Sequence, residues 1–386
     1  MRVTQSMLAH NSLGHIHKGY NNLGNIMDQL STGKKITRAS QDPVVAMNGM
    51  RYRTQVTEVE QFKRNLSEVY NWMESSDSAL DTSTQAMHRI RELAIQASND
   101  TYESGQRANM ASEIEQLLEH LASIANTKTN NKYIFNGTNT TNPPVDMDLM
   151  NLEPGVLSAP GANQDLYEIS YNGEIYRYDP EAGEPLHYVN INEDEDDYII
   201  LENESFTYHF QAPVTNEQGV VQPGETEEQT QNLRAEDFIV SQRNAVSTNT
   251  QNVDIELMKG INIPVNSNPQ KVFSNALFGD IKHLTRVLED PTTKGSDISS
   301  LIGSLDKHID NMVNERAELG ARINRVEMMD TRLNEQEVIA KRILSDNEDA
   351  DLEKVIIDLQ MQENVHRAAM AAGARIMQPT LMDFLR

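Results

Sequence analysis

The feature that most constrains this chain is an apolar 3-4 spacing at both ends of the sequence, interrupted by a middle of different composition. Leu13, Ile16, Tyr20, Leu23, Met27 and Leu30 follow one another at alternating three- and four-residue steps. A longer run takes in Val59, Phe62, Leu66, Val69, Met73, Ser76, Leu80, Ser83, Met87, Ile90, Ala94 and Ala97, and a third takes in Met110, Ile114, Leu117, Leu121 and Ile124. The C-terminal third repeats the pattern through Leu305, Ile309, Met312, Arg316, Leu319, Ile323, Val326, Asp330, Leu333, Glu337, Ala340 and Leu344. Such spacing gathers side chains on one narrow stripe of a helix, the pattern of helices packed along a seam. Ser76 and Ser83 imply slim, close packing, and Arg316, Asp330 and Glu337 make the C-terminal seam partly polar. The expected fold is mainly α: a long antiparallel helical rod or coiled coil formed by the N- and C-terminal segments, with an inserted β-rich domain.

Boundaries follow from capping chemistry. Asp42-Pro43 starts a helix, with Pro at the first helical position. No Gly or Pro except Gly49 occurs from there to Asn99, so a helix over about 44–99 is predicted, roughly 80 Å long at 1.5 Å per residue. Asn99-Asp100-Thr101 breaks it. A last helix is predicted to begin after Ser345-Asp346, with one of these two as its cap. It carries Leu352, Val355, Ile356, Leu359, Ala369, Met370, Ile376 and Met377 on one side and ends at Pro379.

The middle holds seven of the twelve tyrosines, between Tyr167 and Tyr208. Alternating stretches at Leu166–Tyr171, Glu174–Tyr178, His187–Ile191, Tyr198–Leu201 and Phe206–Phe210 predict strands, and Asn172-Gly173 predicts a type I′ hairpin turn. Residues 211–235, polar with Pro and Gly, predict a long loop. The organisation expected is therefore an N-terminal assembly segment (1–42), an N-terminal helical rod (43–144), an acidic β-rich insert (145–260), a C-terminal helical rod (261–345) and a C-terminal assembly helix (346–386).

Charge and composition narrow the function. The net charge of the 386 residues is −25. Residues 145–260 hold 24 acidic against 4 basic residues, so the insert faces water and the rod is nearly balanced. So acidic a chain repels nucleic acid. There is no cysteine, which excludes disulfides, thiolate metal sites and a cysteine nucleophile. No apolar run approaches the roughly 20 residues of a membrane span, and the N-terminus has no signal-peptide pattern. Export by a route without a cleaved signal fits as well as a cytoplasmic location.

Catalytic signatures are missing: no H-E-x-x-H, no G-x-S-x-G and no Walker A loop. Gly14 and Gly19 have a P-loop spacing, but Tyr20 follows where Lys is required. His15 and His17 point apart on a helix and make no metal pair. Glu193–Asp197 and Asp346–Glu353 lack the glycine and spacing of a calcium loop. No enzyme, cofactor or metal is expected. The terminal stripes carry the functional expectation instead. Gly14, Gly19 and Gly24 each cost roughly 0.8–1 kcal/mol against Ala, and neither end has local structure to bury its apolar face. Leu13, Ile16, Tyr20, Leu23, Met27, Leu30, Leu352, Val355, Ile356, Leu359, Ala369, Met370, Ile376 and Met377 are therefore the expected subunit-interface residues.

Several motifs carry a family likeness. Leu30-Ser31-Thr32-Gly33-Lys34-Lys35-Ile36, with Ala39 and Asp42-Pro43, resembles the N-terminal motif of bacterial flagellins and their relatives. Glu318 to Glu327 (ELGARINRVE) resembles that superfamily's C-terminal rod motif, and Asp349-Ala350-Asp351 with Gln378 to Arg386 (QPTLMDFLR) resembles its C-terminus. The likeness covers roughly 1–140 and 270–386. Within the superfamily, Met1-Arg2-Val3-Thr4, Asn131 to Thr138 (NKYIFNGT) with Thr141 and Pro143-Pro144, and the short single insert are more similar to the hook-associated protein 3 family, which joins hook to filament. The resemblance implies a structural, extracellular flagellar part exported unfolded through the flagellar type III apparatus. It implies other copies of the chain, the first hook-associated junction protein and flagellin as partners, with an export chaperone on the C-terminal helix. Flagellin itself is the alternative, then a secreted enzyme on a flagellin-like rod or a cytoplasmic coiled-coil scaffold.

Overall fold

The structure, a computed structural model, describes residues 5–99, 102–159, 163–191, 197–202, 205–215 and 221–377. Three helices come first: α1 (Gln5–Thr32), α2 (Pro43–Ala97) and α3 (Ser104–Ala125). Two small strands, β1 (Lys128–Thr129) and β2 (Lys132–Tyr133), precede a meander of β3 (Tyr167–Tyr171), β4 (Glu174–Tyr178), β5 (Leu186–Asn190), β6 (Tyr198–Glu202), β7 (Ser205–Thr215) and β8 (Val221–Leu233). After β9 (Ile239–Gln242) and the hairpin β10 (Asp254–Met258) and β11 (Ile261–Pro264), the chain ends in α4 (Pro269–Val272), α5 (Asn275–Glu289), α6 (Gly295–Glu348) and α7 (Leu352–Met377). The expected fold class is the one observed: long helices at both ends and an antiparallel sheet between them. The contacts divide into two units, Met1–Arg64 with Asp330–Arg386, and Asn65–Met329.

In the larger unit the α2 seam is closed. Leu66, Val69, Met73, Ser76, Leu80, Ser83, Met87, Ile90, Ala94 and Ala97 are all buried. So are Leu305, Ile309, Met312, Leu319 and Val326 of α6. The polar interruption at Arg316 is an ion pair across the two antiparallel helices: its Nε lies 2.8 Å from Asp77 Oδ1, and its Nη1 reaches Asp81. On α3 the fully buried leucines are Leu118 and the expected Leu121, whereas the expected Leu117 is half-buried. That helix also packs on α5, with Lys282 paired to Glu115, so its apolar face is wider than one seam.

The sheet has the order β8-β7-β6-β5-β4-β3-β9, all antiparallel. Asn172 and Gly173 both take positive φ, 50° and 84°, as a type I′ turn requires. One face packs a core of Ile169, Tyr176, Tyr188, Ile199, Leu201, Phe206, Phe238 and Val240, so the few aromatics are concentrated here. Tyr208 sits edge-on to Tyr171 and Tyr176, at centroid distances of 5.1 and 6.0 Å, and its phenol is pushed up to about 12 by burial. At β3 and β9 the other face is covered by α5, close enough that a Cβ on Gly279 would lie 2.6 Å from Ser170 Cβ.

Residues 211–235 correct the sequence expectation. Residues 211–215 and 221–233 are strand rather than loop: β7 continues to Thr215, and β8 pairs with it from Val221 to Leu233. Glu227 to Asn232 are all exposed. An edge strand wet on both faces shows no apolar alternation, which is the signal the prediction relied on. The last helix is a second correction. The α6 helix runs through Ser345 and Asp346 to Glu348, and Asp351 Oδ1 caps α7 by accepting from Lys354 N at 3.2 Å. Pro379 lies outside the described residues, as do Met1–Thr4 and Gln378–Arg386.

Candidate assembly surface

The smaller unit is built from α1, α7 and the adjoining parts of α2 and α6. The α1 and α7 helices lie antiparallel. Gln362 Nε2 donates to Gly19 O at 3.3 Å, the Tyr20 and His366 rings are 6.1 Å apart, and a Cβ on Gly373 would sit 3.2 Å from Ile16 Cδ1. The half-buried line of α1 is Ser12, Ile16, Gly19, Leu23, Ile26 and Gln29, and the facing line of α7 is Val355, Leu359, Gln362, His366, Ala369 and Gly373, of which Val355 and Gly373 are buried and the others half-buried. Both keep the 3-4 rhythm. With glycines, an alanine and amides among them, they bury little apolar area, so the pair is held weakly by the hydrophobic effect.

The rest of the sequence-predicted stripe turns outward. Leu13, Tyr20, Met27 and Leu30 are 42%, 67%, 54% and 37% exposed, and Leu352, Ile356 and Met370 are 49%, 44% and 53% exposed. Ile16, Leu23, Leu359 and Ala369 are half-buried and Val355 is buried, all on the α1–α7 seam. The side chains of Ile376 and Met377 lie outside the described residues. Sequence reasoning missed Ile357, Met361 and Val365 on α7, and Val44, Met47 and Met50 on α2, all exposed. Their spacing, read at one residue's offset from the stripe, was the available signal. Among the described residues, sixteen of twenty-one exposed large apolar side chains belong to this unit, whereas its buried apolar residues are Val59, Leu333, Ala340 and Val355. Exposed apolar side chains concentrated in one unit make this a candidate protein-contact surface.

Where α1 ends, two of the family-like motifs meet. Gly33, at φ +67°, accepts from Ala350 N at 2.8 Å, and Lys35 N donates to Glu348 O at 2.7 Å. Lys34 Nζ lies 2.6 Å from Asp349 Oδ1 and 3.5 Å from Glu348 Oε2, and Arg53 Nε lies 2.7 Å from Glu348 Oε1. The hydrogen bond to Asp349 raises the Lys34 pKa, and the bonds from Lys34 and then Ser345 lower that of Asp349. Gly49, the one glycine of the α2 run, lies against this clasp: a Cβ there would be 2.6 Å from Glu348 Oε1. The acidic cluster at 346–353 is thus spent on this clasp and on capping α7. Sequence alone did not couple Arg53 and Gly49 to Glu348, because about 300 residues separate them.

The other motifs serve the larger unit. Phe135 packs edge-on against Phe273 with centroids 5.1 Å apart, and Gly137, at φ +51°, lies where a Cβ would strike the Gln251 carbonyl. Arg322 donates to Asn266 O at 2.9 Å and pairs with Glu318 and Glu315. Among the described residues no group of three His, Asp or Glu could hold a metal ion, and no helix is long and apolar enough to cross a membrane. His15 and His17 are exposed. Asp197 accepts from Tyr208, while Glu193–Asp196 lie outside the described residues.

Comparison with known proteins agrees with this layout. Residues 3–140 match the bacterial flagellin N-terminal helical region and residues 302–385 the bacterial flagellin C-terminal helical region, together more than half of the chain. Flagellin of Clostridium tyrobutyricum is 29% identical over 127 residues, covering 33% of this chain and 34% of that one. Flagellar hook-associated protein 3 of Salmonella typhimurium is 26% identical over 147 residues, covering 38% and 46%. The matched part thus spans between a third and a half of these relatives. A solved structure described as a flagellar hook-associated protein of Vibrio parahaemolyticus superposes with a TM-score of 0.52 at 14% identity, covering 80% of this chain and 100% of that one, a likeness of fold alone. With both terminal helical regions present in order around an inserted sheet, the chain belongs to the bacterial flagellin family.

Proposed function

We propose that this protein is a structural subunit of the bacterial flagellum, the hook–filament junction protein, which polymerises through its terminal helices and links the hook-associated zone to the flagellin filament. The observation that carries the reading is the open apolar surface of the α1–α7 unit, where Leu13, Tyr20, Met27, Ile356 and Met370 stay 42–67% exposed among the described residues. Burying them against neighbouring copies is a mechanical and adhesive role, not a catalytic one. In this reading 1–42 and 346–386 are the assembly segments, 43–144 and 261–345 the rod, and 145–260 a water-facing acidic insert. The partners are other copies of the chain, the first hook-associated junction protein and flagellin. An export chaperone covers the C-terminal helix before secretion, and the site of action is the extracellular flagellum.

The filament-subunit reading is favoured by the flagellin relatives that match the same termini. The junction reading is favoured by the NKYIFNGT segment and the single short insert. Electron microscopy of cells lacking the gene separates them. Hooks without filaments, and flagellin released to the medium, support the junction role. Normal filaments on such cells would refute both.

A further inference from the structure

A cavity of about 230 Å³ lies between α3, α5, β9 and the segment at 147–151 of the larger unit. Two polar side chains at its base, Ser241 and Asn275, are each only 2% exposed. Ser241 Oγ and Asn275 Oδ1 have no hydrogen-bond partner among the described residues. The orientation of Asn275 is fixed, because its Nδ2 donates to Glu168 and, at 3.3 Å, to Gln242 O. Its oxygen is the atom left free, and both Asn275 and Ser241 line the cavity. A buried amide oxygen left unpaired is costly, and the Ser241 hydroxyl beside it can accept as well as donate, so the site suits a donor group.

The walls and rim say what kind. Met147, Met150, Ile239 and Phe278 present apolar surface, which water alone wets poorly. At the rim Lys282 is already neutralised by Glu115, while Glu119 is exposed and has no ion-pair partner among the described residues. The lining is thus acceptor-rich and carries one uncompensated negative charge, in a strongly acidic chain.

We propose that this cavity binds a small primary alkylammonium ion. Its head donates to Asn275 Oδ1 and Ser241 Oγ, its alkyl body lies on Met147, Met150 and Phe278, and Glu119 supplies the counter-charge. An ammonium offers three donors and can fill both acceptors, whereas an alcohol of the same shape offers one. The test titrates the full-length protein with isobutylammonium chloride and with isobutanol, following the methyl resonances of Met147 and Met150. The expected result is saturable binding of the ammonium with a dissociation constant of about 1 mM and about tenfold weaker binding of the alcohol. Ser241→Ala should weaken the ammonium about tenfold. Glu119→Gln, on the surface and harmless to folding, should weaken it about threefold and flatten its salt dependence. Shifts that fail to saturate, equal affinity for ammonium and alcohol, or binding unchanged in Ser241→Ala would overturn the assignment.

Discussion

The double substitution Tyr20→Ser, Met27→Ser bears most directly on the assembly surface. The two residues lie two turns apart on one line of α1 and are 67% and 54% exposed in the single chain. Fully burying a large apolar side chain stabilises by about 2 kcal/mol. The exposed fractions leave about 1.3 and 1.1 kcal/mol to be gained only when a neighbour covers them. Losing about 2.4 kcal/mol per copy raises the concentration for half-maximal assembly about fifty-fold. The assay is addition of purified protein to isolated hooks carrying the first hook-associated protein, followed by sedimentation across a concentration series. Thermal unfolding of the unassembled protein should shift by no more than surface substitutions do, about 0.5 kcal/mol. An unchanged half-point would refute the reasoning, because it would mean that the Tyr20–Met27 line stays wet in the assembly.

Other consequences follow from the same geometry. Ser83 Oγ is buried without a partner, whereas Ser76 Oγ donates to Trp72 O at 2.9 Å; Ser83→Ala should stabilise the protein by about 1 kcal/mol and Ser76→Ala should be nearly neutral, as read by urea unfolding. Leu80→Ala, at a fully buried seam position, should cost about 2–5 kcal/mol in the same measurement. The hydrogen bonds from Lys341 and Lys63 lower Glu337 from 4.5 to about 2, and Asp349 is lowered by Lys34 and Ser345. Depressed carboxylates stabilise above their unfolded pKa, so their contribution should be intact at pH 6 and lost between about pH 4.5 and 2. Acid titration of wild type and Glu337→Gln checks this: the variant should lack the part of the acid loss that belongs to Glu337, and identical curves would remove Glu337 from the account.

What the sequence determined by itself was local. The 3-4 rhythm fixed the helices and their closed seam from Leu66 to Ala97, because a helix repeats every 3.6 residues whatever it packs against. Asp42-Pro43 fixed the start of α2, where Asp42 Oδ1 accepts from Val44 N and Val45 N at 3.0 and 3.1 Å, and Asn172-Gly173 fixed its turn through positive φ. The tertiary structure decided everything that needed a partner distant in sequence. A stripe such as Leu13–Leu30 offers two neighbouring lines; only the approach of α7, closest where Gly373 meets Ile16, turned Ile16 and Leu23 inward and left Tyr20 and Met27 open. The β8 strand exists because β7 supplies its backbone hydrogen bonds, not because its polar side chains prefer a sheet. Arg53, Gly49 and Glu348 became one clasp because antiparallel α2 and α6 bring residues about 300 positions apart into contact, a distance at which no local pattern carries information.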